Sequence, residues 1–240
     1  MREIDRWKKN ISGLQKRIGY HFSNEDVLLE AMTHSSFANE WKHQKMPDNE
    51  RLEFLGDSVL GLIISHYIFA AFHHLPEGEL TKVRANVVCE SSLALKARRI
   101  DIGTYLLLGR GEEASGGRDR ESILADGLES LIAAIYLDGG YRNARSFVID
   151  NFRDLIDLAA KGNLMSDYKT KLQEILQSNN QDRIEYTVVD ETGPDHNKTF
   201  FVEVRVGVDS FGSGQGRNKK EAEQQAAKAA ITMLEENAVE

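Results

Sequence analysis

Apolar residues recur at helical spacing along the first two thirds of the chain. Three such runs are "LIISHYIFAAF" at 62–72, "SSLALKARRI" at 91–100 and "ESLIAAIYL" at 129–137. A period near ~3.6 residues is typical of helices that bury one face, whereas a half-buried strand alternates at every second residue. Because few stretches before residue 160 alternate in that way, the pattern predicts an all-α domain over residues 1–160.

The pattern changes after this domain. The stretch "AAKGNLMS" at 159–166 is small and polar, has no strong period and predicts a linker. The next run, "SDYKTKLQEILQ", is helical, while "RIEYTVVD" and "KTFFVEVRVGV" alternate apolar and polar residues as half-buried strands do. The order continues with a third short strand in "SFGSGQG" and a final helix. A small α+β module is therefore predicted over residues 164–237. One face of its last helix is expected to carry Ala222, Ala226, Ala229 and Met233.

Bulk composition is that of a globular protein, with 41% hydrophobic and 28% charged residues. No apolar run approaches the ~20 residues that a membrane-spanning helix needs, and the first ten residues lack the apolar segment of a secretory signal. The single cysteine, Cys89, excludes an internal disulfide and a cysteine-cluster metal site. These features predict a cytoplasmic protein without a membrane segment.

The formal net charge of −8 disfavours a nucleic-acid partner when taken alone, because most such proteins carry a basic face. Net charge is a poor guide, however, where a metal site concentrates acids in one place. Local clusters of charge therefore decide the question.

Acidic residues stack on one face of two otherwise apolar helices. In "NERLEFLGDSVL" at 49–60, Glu50, Glu53 and Asp57 are three and four residues apart and so lie about one turn from each other. In "ILADGLESLIAAIYLDGG", Asp126 and Glu129 are three residues apart. Two unit charges ~4 Å apart repel by roughly 4 kcal/mol at an effective dielectric constant of about 20. Such groups need a proton, a basic partner or a cation.

Three explanations of these acids are open. Glu50 has an ordinary one, because an acid in the first turn of a helix, after Asp48 or Asn49 as cap, meets the positive end of the helix dipole. Basic residues such as Arg51 or Arg84 would neutralise one or two of the other four. The third is a divalent cation. Four carboxylates without histidine or thiolate are hard ligands that suit Mg²⁺ or Mn²⁺ better than zinc, and a water held by such a cation can attack a phosphate.

Four separated stretches, in order along the chain, resemble the ribonuclease III family. "NERLEFLGDSVL" resembles the family signature and "LADGLESLIAAIYLD" its second acidic block. "THSSFANE" at 33–40 and "PEGELTKVRANVV" at 76–88 are similar to other parts of its helical endonuclease domain. With the C-terminal module, the resemblance covers nearly the whole chain in the bacterial arrangement. It implies a homodimer with one site per subunit.

The resemblance implies that the acids at the matching positions of this chain form the metal site. Glu129 and Asp57 are expected to be the catalytic residues that bind the metal most directly. The four acids are Glu53, Asp57, Asp126 and Glu129.

The resemblance also implies roles for residues around the site. Glu50 and Glu77 match acids that the family places near the RNA path or a subunit contact. Phe54 either packs in the core or, as the resemblance implies, inserts into the partner subunit. Arg118 and Arg120, in "GGRDRES", are candidate RNA contacts, and the alternative for them is a solvated loop.

The C-terminal module offers candidate RNA contacts at three places, each of which alone could be ordinary surface. Lys219 and Lys220 follow the predicted cap Asn218, where their charge adds to the free N–H groups and positive dipole end of the last helix. The turn "GPDH" presents Pro194 and His196. Polar side chains on the first helix can meet 2′-hydroxyl groups; they are Thr170, Gln173 and Gln177. Together with "KKEAEQQAA" at 219–227, these features resemble a double-stranded RNA-binding domain, which reads A-form shape over about 16 base pairs.

The sequence therefore predicts a Mg²⁺-dependent endoribonuclease of double-stranded RNA, with an all-α endonuclease domain followed by an α-β-β-β-α RNA-binding domain. By resemblance, the products carry 5′-phosphate and 3′-hydroxyl ends with short 3′ overhangs, and the substrates are ribosomal RNA precursors and structured messages. Mn²⁺ is expected to substitute for Mg²⁺, and no organic cofactor is expected. Two other functions are open: an RNA-binding protein that does not cut, and a metal phosphohydrolase of small molecules. The complete set of acids argues against the first, and the C-terminal module argues against the second.

Overall fold

The computed structural model describes residues 2–41, 46–161, 168–178, 184–193, 198–206 and 209–237. The chain divides into two compact units, Met1–Leu164 and Met165–Glu240. Residues 159 and 160, predicted to begin the linker, instead end a helix, because Ala159 is buried in the core of the first unit. Lys161 caps that helix, and the rest of the predicted linker lies outside the described residues.

The first unit is built of helices, as the spacing of its apolar residues predicts. They are α1 (Arg2–Ile18), α2 (Glu25–Ala31), α3 (Ser35–Glu40), α4 (Glu50–Ala71), α5 (Glu77–Val87), α6 (Glu90–Arg99), α7 (Arg110–Ala114) and α8 (Glu121–Ala160). Two 3₁₀ turns, Ile102–Tyr105 and Gly117–Asp119, lie between them, and Thr33 and Leu107 form one parallel bridge.

Helices α4 and α8 form the centre of the core. Ile63 and Ile64 of α4 and Leu131 and Ile132 of α8 are completely buried, and burial of such a side chain contributes roughly 1.5–3 kcal/mol. Helix α8 has a kink at Gly140, where φ is +74°, a value that glycine adopts without steric cost. Two of the apolar runs of the sequence, 62–72 and 129–137, therefore meet in one core.

Helix α4 is the one helix in the described part of the chain that is long and apolar enough to cross a membrane. Only 33% of the most apolar 18-residue stretch of this helix is buried. Three large apolar side chains of the helix, Phe54, Leu62 and Phe69, are exposed. At 100° per residue these three side chains lie within an arc of about 80°, and we call them the α4 stripe. Core helices of globular domains can also be long and apolar enough to pass as membrane spans. The exposed apolar side chains of the stripe therefore indicate a contact surface.

The second unit contains α9 (Tyr168–Ser178), β1 (Ile184–Thr192), β2 (Thr199–Val206), β3 (Asp209–Gly216) and α10 (Lys219–Asn237). The strands form one antiparallel sheet in the order β1-β2-β3. Alternate residues of β2, Val202, Val204 and Val206, share a core with Leu172 and Leu176 of α9. The predicted fold class, an all-α domain followed by an α-β-β-β-α domain, is confirmed.

Glycines of β3 let α10 lie directly on the sheet. A Cβ at Gly212 would stand 2.6 Å from the backbone nitrogen of Ala230, and a Cβ at Gly214 would overlap the backbone of Ala226. Glycines at every second position of the strand thus face alanines at every fourth position of the helix.

The inward face of α10 differs in part from the predicted one. Ala222 and Ala226 are completely buried as expected, but Ala229 is exposed and Met233 is 45% exposed. Ala230 takes the inward position, because the β3 glycines admit only the small residue that follows Ala226 by four.

Candidate metal centre and nucleic-acid interface

Helices α4 and α8 meet at two neighbouring points. A Cβ at Gly56 would overlap the carbonyl group of Glu129, so the two backbones can approach here only because position 56 has no side chain. The carbonyl group of the buried Asn49 accepts a hydrogen bond from Ser130 Oγ (3.1 Å). Because Gly56 lies between the acids of α4, and Ser130 directly follows Glu129, this crossing brings the acidic residues of both helices together.

Glu53, Asp126 and Glu129 form a cluster, the acid triad. One carboxylate oxygen of each lies within 4.8 Å of the other two, and all three side chains are half-buried. This spacing allows the three groups to bind one ion. Oxygen ligands without nitrogen or sulfur suit a hard divalent cation, so the triad fits Mg²⁺ or Mn²⁺.

The acid triad is unfavourable without a cation. Burial, together with the charges of Asp57, Glu53 and Asp126, raises the pKa of Glu129 to about 8. Burial also raises the pKa of Glu53, and the charges of Asp126, Glu50 and Asp57 add to that effect. In the metal-free protein Glu129 therefore holds a proton at neutral pH, and a bound cation would displace it.

Asp57 lies beside the acid triad without belonging to it. Its side chain is exposed, and its charge raises the pKa of both Glu53 and Glu129. Its role as the fourth metal-binding acid stays a prediction.

Glu50 and Glu77 are exposed residues at the first positions of α4 and α5. The Glu50 backbone N–H donates to Asp48 Oδ1 (3.3 Å), whereas the Asn49 side chain makes no cap hydrogen bond. Glu77 Oε1 accepts a hydrogen bond from Thr81 Oγ1 (3.0 Å). Glu50 thus has the ordinary role of an acid at a helix start while also bordering the triad, and a contact of either acid with RNA stays a prediction.

The two arginines considered as neutralising partners lie elsewhere. Burial raises the pKa of Glu30 and the charge of Arg51 opposes that rise, so Arg51 lies beside Glu30. Arg84 Nη1 donates to Ser65 Oγ (3.2 Å). Neither arginine is among the groups that shift the pKa values of the acid triad. These contacts favour a cation over an arginine as the neutralising partner.

Two residues outside the predicted set border Asp126. Burial raises the pKa of Asp126, the charge of Glu90 raises it further, and His34 lowers it. Glu90 begins α6, where an acid has an ordinary explanation in the helix dipole, so the sequence offers little signal for it. His34 precedes α3 and lies within "THSSFANE", a stretch that only the family resemblance connects with the acids.

Phe54 is 79% exposed, so the prediction that it packs in the core of its own domain is wrong. The side chain stands at a surface groove of about 630 Å³. The groove is also lined by apolar residues (Val27, Leu52, Leu55 and Leu137) and by charged ones (Glu30, Glu50 and Arg51). Its insertion into a partner subunit stays a prediction.

Arg118 ties the glycine-rich stretch to the rest of the first unit. Its Nη1 donates to the carbonyl groups of Gly103 and Leu106, both at 2.7 Å, and its Nε donates to Glu113 (2.6 Å). The guanidinium group is therefore engaged within the fold, which explains why an arginine is needed here without any contact to RNA.

Arg120 is paired with Glu112 at 2.5 Å and donates to Ser115 Oγ (3.1 Å), and about half of its side chain is exposed. Arg118 lies in the 3₁₀ turn Gly117–Asp119, so the alternative of a solvated loop is wrong for it. Arg120 lies between that turn and α8 and is exposed, so for this residue the alternative stays open. An RNA contact of Arg118 or Arg120 stays a prediction, and the geometry favours Arg120.

Helix α10 begins with the predicted cap. Asn218 Oδ1 accepts a hydrogen bond from the backbone N–H of Glu221 (2.9 Å). Lys219 and Lys220 follow in the first turn, and both are exposed. Lys219 Nζ lies 3.9 Å from Glu191, and exposed pairs of this kind contribute only ~0–1 kcal/mol. Both ammonium groups can therefore reach an anion at the end of the helix where backbone N–H groups are free.

Of the other predicted RNA contacts, Gln173 is exposed on α9. Thr170 and Gln177 belong to the same helix, but their side chains lie outside the described residues, as do Pro194 and His196 entirely.

Two family models match the chain. Residues 24–155 match the Ribonuclease-III-like family, and residues 168–234 match the double-stranded RNA binding motif. The acid triad lies within the first match and the Lys219–Lys220 pair within the second. The two matches therefore correspond to the two units of the fold.

Curated relatives and a solved structure agree with these matches. The chain is 53% identical over 221 residues to Ribonuclease 3 of Caldanaerobacter subterraneus, covering 92% of this chain and 96% of the relative. It is 48% identical over 227 residues to Ribonuclease 3 of Clostridium perfringens, with 95% of each covered. A solved structure of the nuclease domain of ribonuclease III from Campylobacter jejuni matches with 39% identity and a TM-score of 0.55. The match covers 60% of this chain and 99% of the solved one. The chain belongs to the ribonuclease III family and is a double-stranded-RNA endoribonuclease.

Proposed function

We propose that the chain uses Mg²⁺ to hydrolyse phosphodiesters of double-stranded RNA at the acid triad, with Asp57 as a fourth acid. The observation that carries the proposal is the set of three half-buried carboxylates within 4.8 Å of one another where α4 and α8 cross. A bound Mg²⁺ supplies an activated water and stabilises charge on the leaving oxygen. Mn²⁺ has the same preference for oxygen ligands and is expected to substitute.

The four acids have different roles in this proposal. Glu129 gains most from a cation, because burial and then the charges of its three acidic neighbours raise its pKa. It is the principal ligand and holds the ion at the helix crossing. Asp57 is exposed and so is accessible to an incoming phosphate, which suits a ligand that contacts both ion and substrate. Glu53 and Asp126 complete the negative charge that keeps the ion bound.

The second unit binds the duplex without reading its sequence. Lys219 and Lys220 bind phosphates of the RNA backbone at the start of α10. Asn218 caps this end of the helix. Gln173, exposed on α9, contacts a minor groove. The sequence-based candidates Thr170, Gln177, Pro194 and His196 are proposed as further RNA contacts. Shape recognition of this kind needs few cations, which agrees with an acidic net charge of −8.

Two copies of the chain form a homodimer through the α4 stripe. Phe54 of each copy inserts into the groove beside Leu55 and Leu137 of the other, which would cover side chains that are 79% and 55% exposed for Phe54 and Leu137. In the solved nuclease domain of Campylobacter jejuni ribonuclease III, a region involved in dimer formation shows structural flexibility.

Replacement of Phe54 by serine tests the dimer. We expect Phe54→Ser to sediment as a monomer, because the small serine side chain cannot cover the apolar residues of the groove. Leu95→Ser is the matched control, since Leu95 is a 44% exposed apolar residue on α6 and away from the stripe. A dimer of unchanged dissociation constant in Phe54→Ser would show that the two copies meet elsewhere.

The products of this reaction carry 5′-phosphate and 3′-hydroxyl ends, and the two sites of the dimer leave short 3′ overhangs. The RNA-path acids are Glu50 and Glu77, with Arg120 as a further contact. Cellular substrates are the duplex regions of ribosomal RNA precursors and structured messages, which places the protein in the cytoplasm.

The decisive experiment incubates the dimer with a long RNA duplex in Mg²⁺ and, in parallel, in chelator. We expect short fragments only with Mg²⁺, and each fragment should accept ligation at its 5′ end without prior phosphorylation. Binding without Mg²⁺-dependent fragmentation would favour the alternative, a double-stranded RNA-binding protein that does not cut. The complete set of acids at the crossing is the reason to rank that alternative second.

A further inference from the structure

Three side chains meet at one end of the second unit, where β1 ends and where β2 and α10 begin. Glu191 of β1 is paired across the sheet with Phe200 of β2. Residues paired in this way share a face of the sheet. Lys219, the first residue of α10, places its Nζ 5.8 Å from the centre of the Phe200 ring. The Glu191 carboxylate and the Lys219 ammonium group therefore lie on the same face of this end of the sheet.

The Glu191 carboxylate contacts two ammonium groups. Its Oε2 accepts a hydrogen bond from Lys198 Nζ (3.5 Å), and its Oε1 lies 3.9 Å from Lys219 Nζ. Lys198 directly precedes β2 whereas Lys219 belongs to α10, so cations from two separate elements converge on one anion. A phosphate presents paired oxygens much as a carboxylate does, and the same cationic side chains bind both. The two lysines thus form a site whose geometry also fits a phosphate.

Both ion pairs can be exchanged for another anion. The side chains are 37% exposed for Lys198, 60% for Lys219 and 39% for Glu191. Ion pairs at such exposure contribute little to stability, because water solvates both partners. A phosphate of the RNA backbone carries the same charge as the carboxylate, and its binding also releases counterions that are condensed on the duplex. Replacement of the carboxylate by an RNA phosphate therefore costs little.

We propose that Lys198 and Lys219 bind the RNA backbone together and that Glu191 competes with the phosphate for them. Lys198 is then a further RNA-binding residue, and Glu191 limits the affinity of the second unit for the duplex. The lower affinity favours release of the cut duplex. This inference rests on the proposed function, because it assumes that Lys219 contacts an RNA phosphate.

Glu191→Gln tests the competition, because it keeps the size of the side chain and removes its charge. Glu203→Gln is the matched control, since Glu203 is an acid of the neighbouring strand β2 and forms an ion pair of its own with Arg205 (3.0 Å). Alternation along β2 places Glu203 on the face of the sheet opposite to Phe200. Both variants change the net charge equally, so a difference between them reports the position of the charge.

The measurement is binding of the full-length protein to an RNA duplex longer than ~16 base pairs, in chelator and over a range of salt concentrations. We expect Glu191→Gln to bind roughly 3–10-fold more tightly than the parent, because it removes two exposed ion pairs that compete with the phosphate. The slope of log affinity against log salt should become steeper by up to ~1. Glu203→Gln should change the affinity by less than about twofold, since salt screens a distant charge. A gain of affinity cannot result from a damaged fold.

Lys198→Ala should weaken duplex binding and reduce the salt slope by ~1, whereas Lys198→Arg, which keeps the charge, should bind like the parent. In the Lys198→Ala background the gain from Glu191→Gln should shrink, because the two side chains act through one contact.

Parental affinity in Glu191→Gln would overturn the proposal, as would a gain no larger than that of Glu203→Gln, since Glu191 would then be part of an ordinary surface ion pair. Parental affinity and salt slope in Lys198→Ala would also overturn it. Failure of the proposed function is distinguishable, because the double substitution Lys219→Ala with Lys220→Ala would then bind the duplex like the parent. Failure of this inference alone leaves the loss of affinity in that double variant in place.

Discussion

Both units of this protein use glycine to bring a helix into backbone contact with its neighbour, and they do so for different ends. In the first unit Gly56 admits the Glu129 carbonyl, and the residues on either side of that contact are acids. In the second unit Gly212 and Gly214 admit α10, and the residues at that contact are alanines. A close backbone contact at glycine therefore brings acidic residues together in the first unit and packs apolar residues in the second.

The charges that are proposed to act on RNA differ between the two units in the same way. The acid triad is half-buried and its pKa values are raised, so the fold of the first unit is less stable than it would be with neutral side chains at these positions. Lys219 and Lys220 are exposed at the start of α10, where water can solvate them. A metal-dependent reaction needs acids that the fold holds close together, which lowers the stability of the fold. Recognition of duplex shape needs only accessible charged side chains.

The sharpest test of the difference is Glu129→Gln. We expect cleavage to fall by more than ~100-fold, since even the loss of a group that supports a metal ligand costs roughly 10–100-fold. Duplex binding should remain, and the metal-free variant should unfold at higher urea than the parent. Glutamine is neutral in both states, whereas Glu129 must take up a proton when the metal-free chain folds. The control is Asp150→Asn, an exposed acid of the same helix away from the triad. Cleavage at the parental rate by Glu129→Gln would show that the metal centre is misassigned.

Gly56→Ala should separate α4 from α8. The new Cβ would overlap the Glu129 carbonyl, and such overpacking typically costs ~1–3 kcal/mol of unfolding free energy. Gly61→Ala is a matched control on the same helix, where a Cβ meets nothing within 4 Å, and it should be neutral or stabilising by up to about 1 kcal/mol. Urea unfolding of both variants gives the comparison. Equal stabilities would mean that the crossing tolerates a side chain at position 56.

The double substitution Lys219→Ala with Lys220→Ala should weaken duplex binding and leave the acid triad intact. Each phosphate contact that is lost should reduce the slope of log affinity against log salt by ~1. Lys228→Ala is the control, because Lys228 is an exposed lysine of the same helix far from its free N–H groups. A salt slope equal to that of the parent would remove both lysines from the RNA contact.

The stability of the first unit is also expected to depend on pH. The pKa of Glu129 is about 8 in the fold and near 4.5 in the unfolded chain, so between these values the metal-free folded protein binds more protons than the unfolded one. Its stability should therefore fall as the pH rises through this window, by at most about 1.4 kcal/mol per pH unit for each proton. Urea unfolding in chelator measures this slope.

Saturating Mg²⁺ should flatten that dependence, because the cation takes the place of the proton. Glu129→Gln in chelator should also show a shallower slope than the parent. A slope that is the same in both proteins would mean that other groups are responsible for it.

Much of the fold followed from short-range patterns. The helical period of "LIISHYIFAAF" and the alternation in "KTFFVEVRVGV" depend on nearest neighbours along the chain, and the structure has a helix and a strand at these places. The inward face of α10 was predicted only in part, because the choice between Ala229 and Ala230 depends on the glycines of β3, a separate element.

The candidate site followed from the sequence to a similar degree. Spacing predicted that Glu53 would face the same way as Asp57, and the resemblance paired them with Asp126 and Glu129. His34 and Glu90 were missed, because each belongs to another helix and approaches Asp126 only after the chain folds. One of the two interpretations of Phe54 placed it in the core, which is wrong. The sequence does not distinguish an exposed apolar residue from the buried ones beside it.

The sequence by itself determined which residues share a helix face, which segments alternate, and that five acids in two apolar helices would need an explanation. Those properties depend on local backbone geometry, which repeats identically wherever a helix or strand forms. Only the tertiary structure decided which acids form the triad, where Gly56 allows the helices to touch, and which residues of other helices approach Asp126. These depend on contacts between elements distant in the chain, where one missing Cβ or one hydrogen bond selects among many possible approaches.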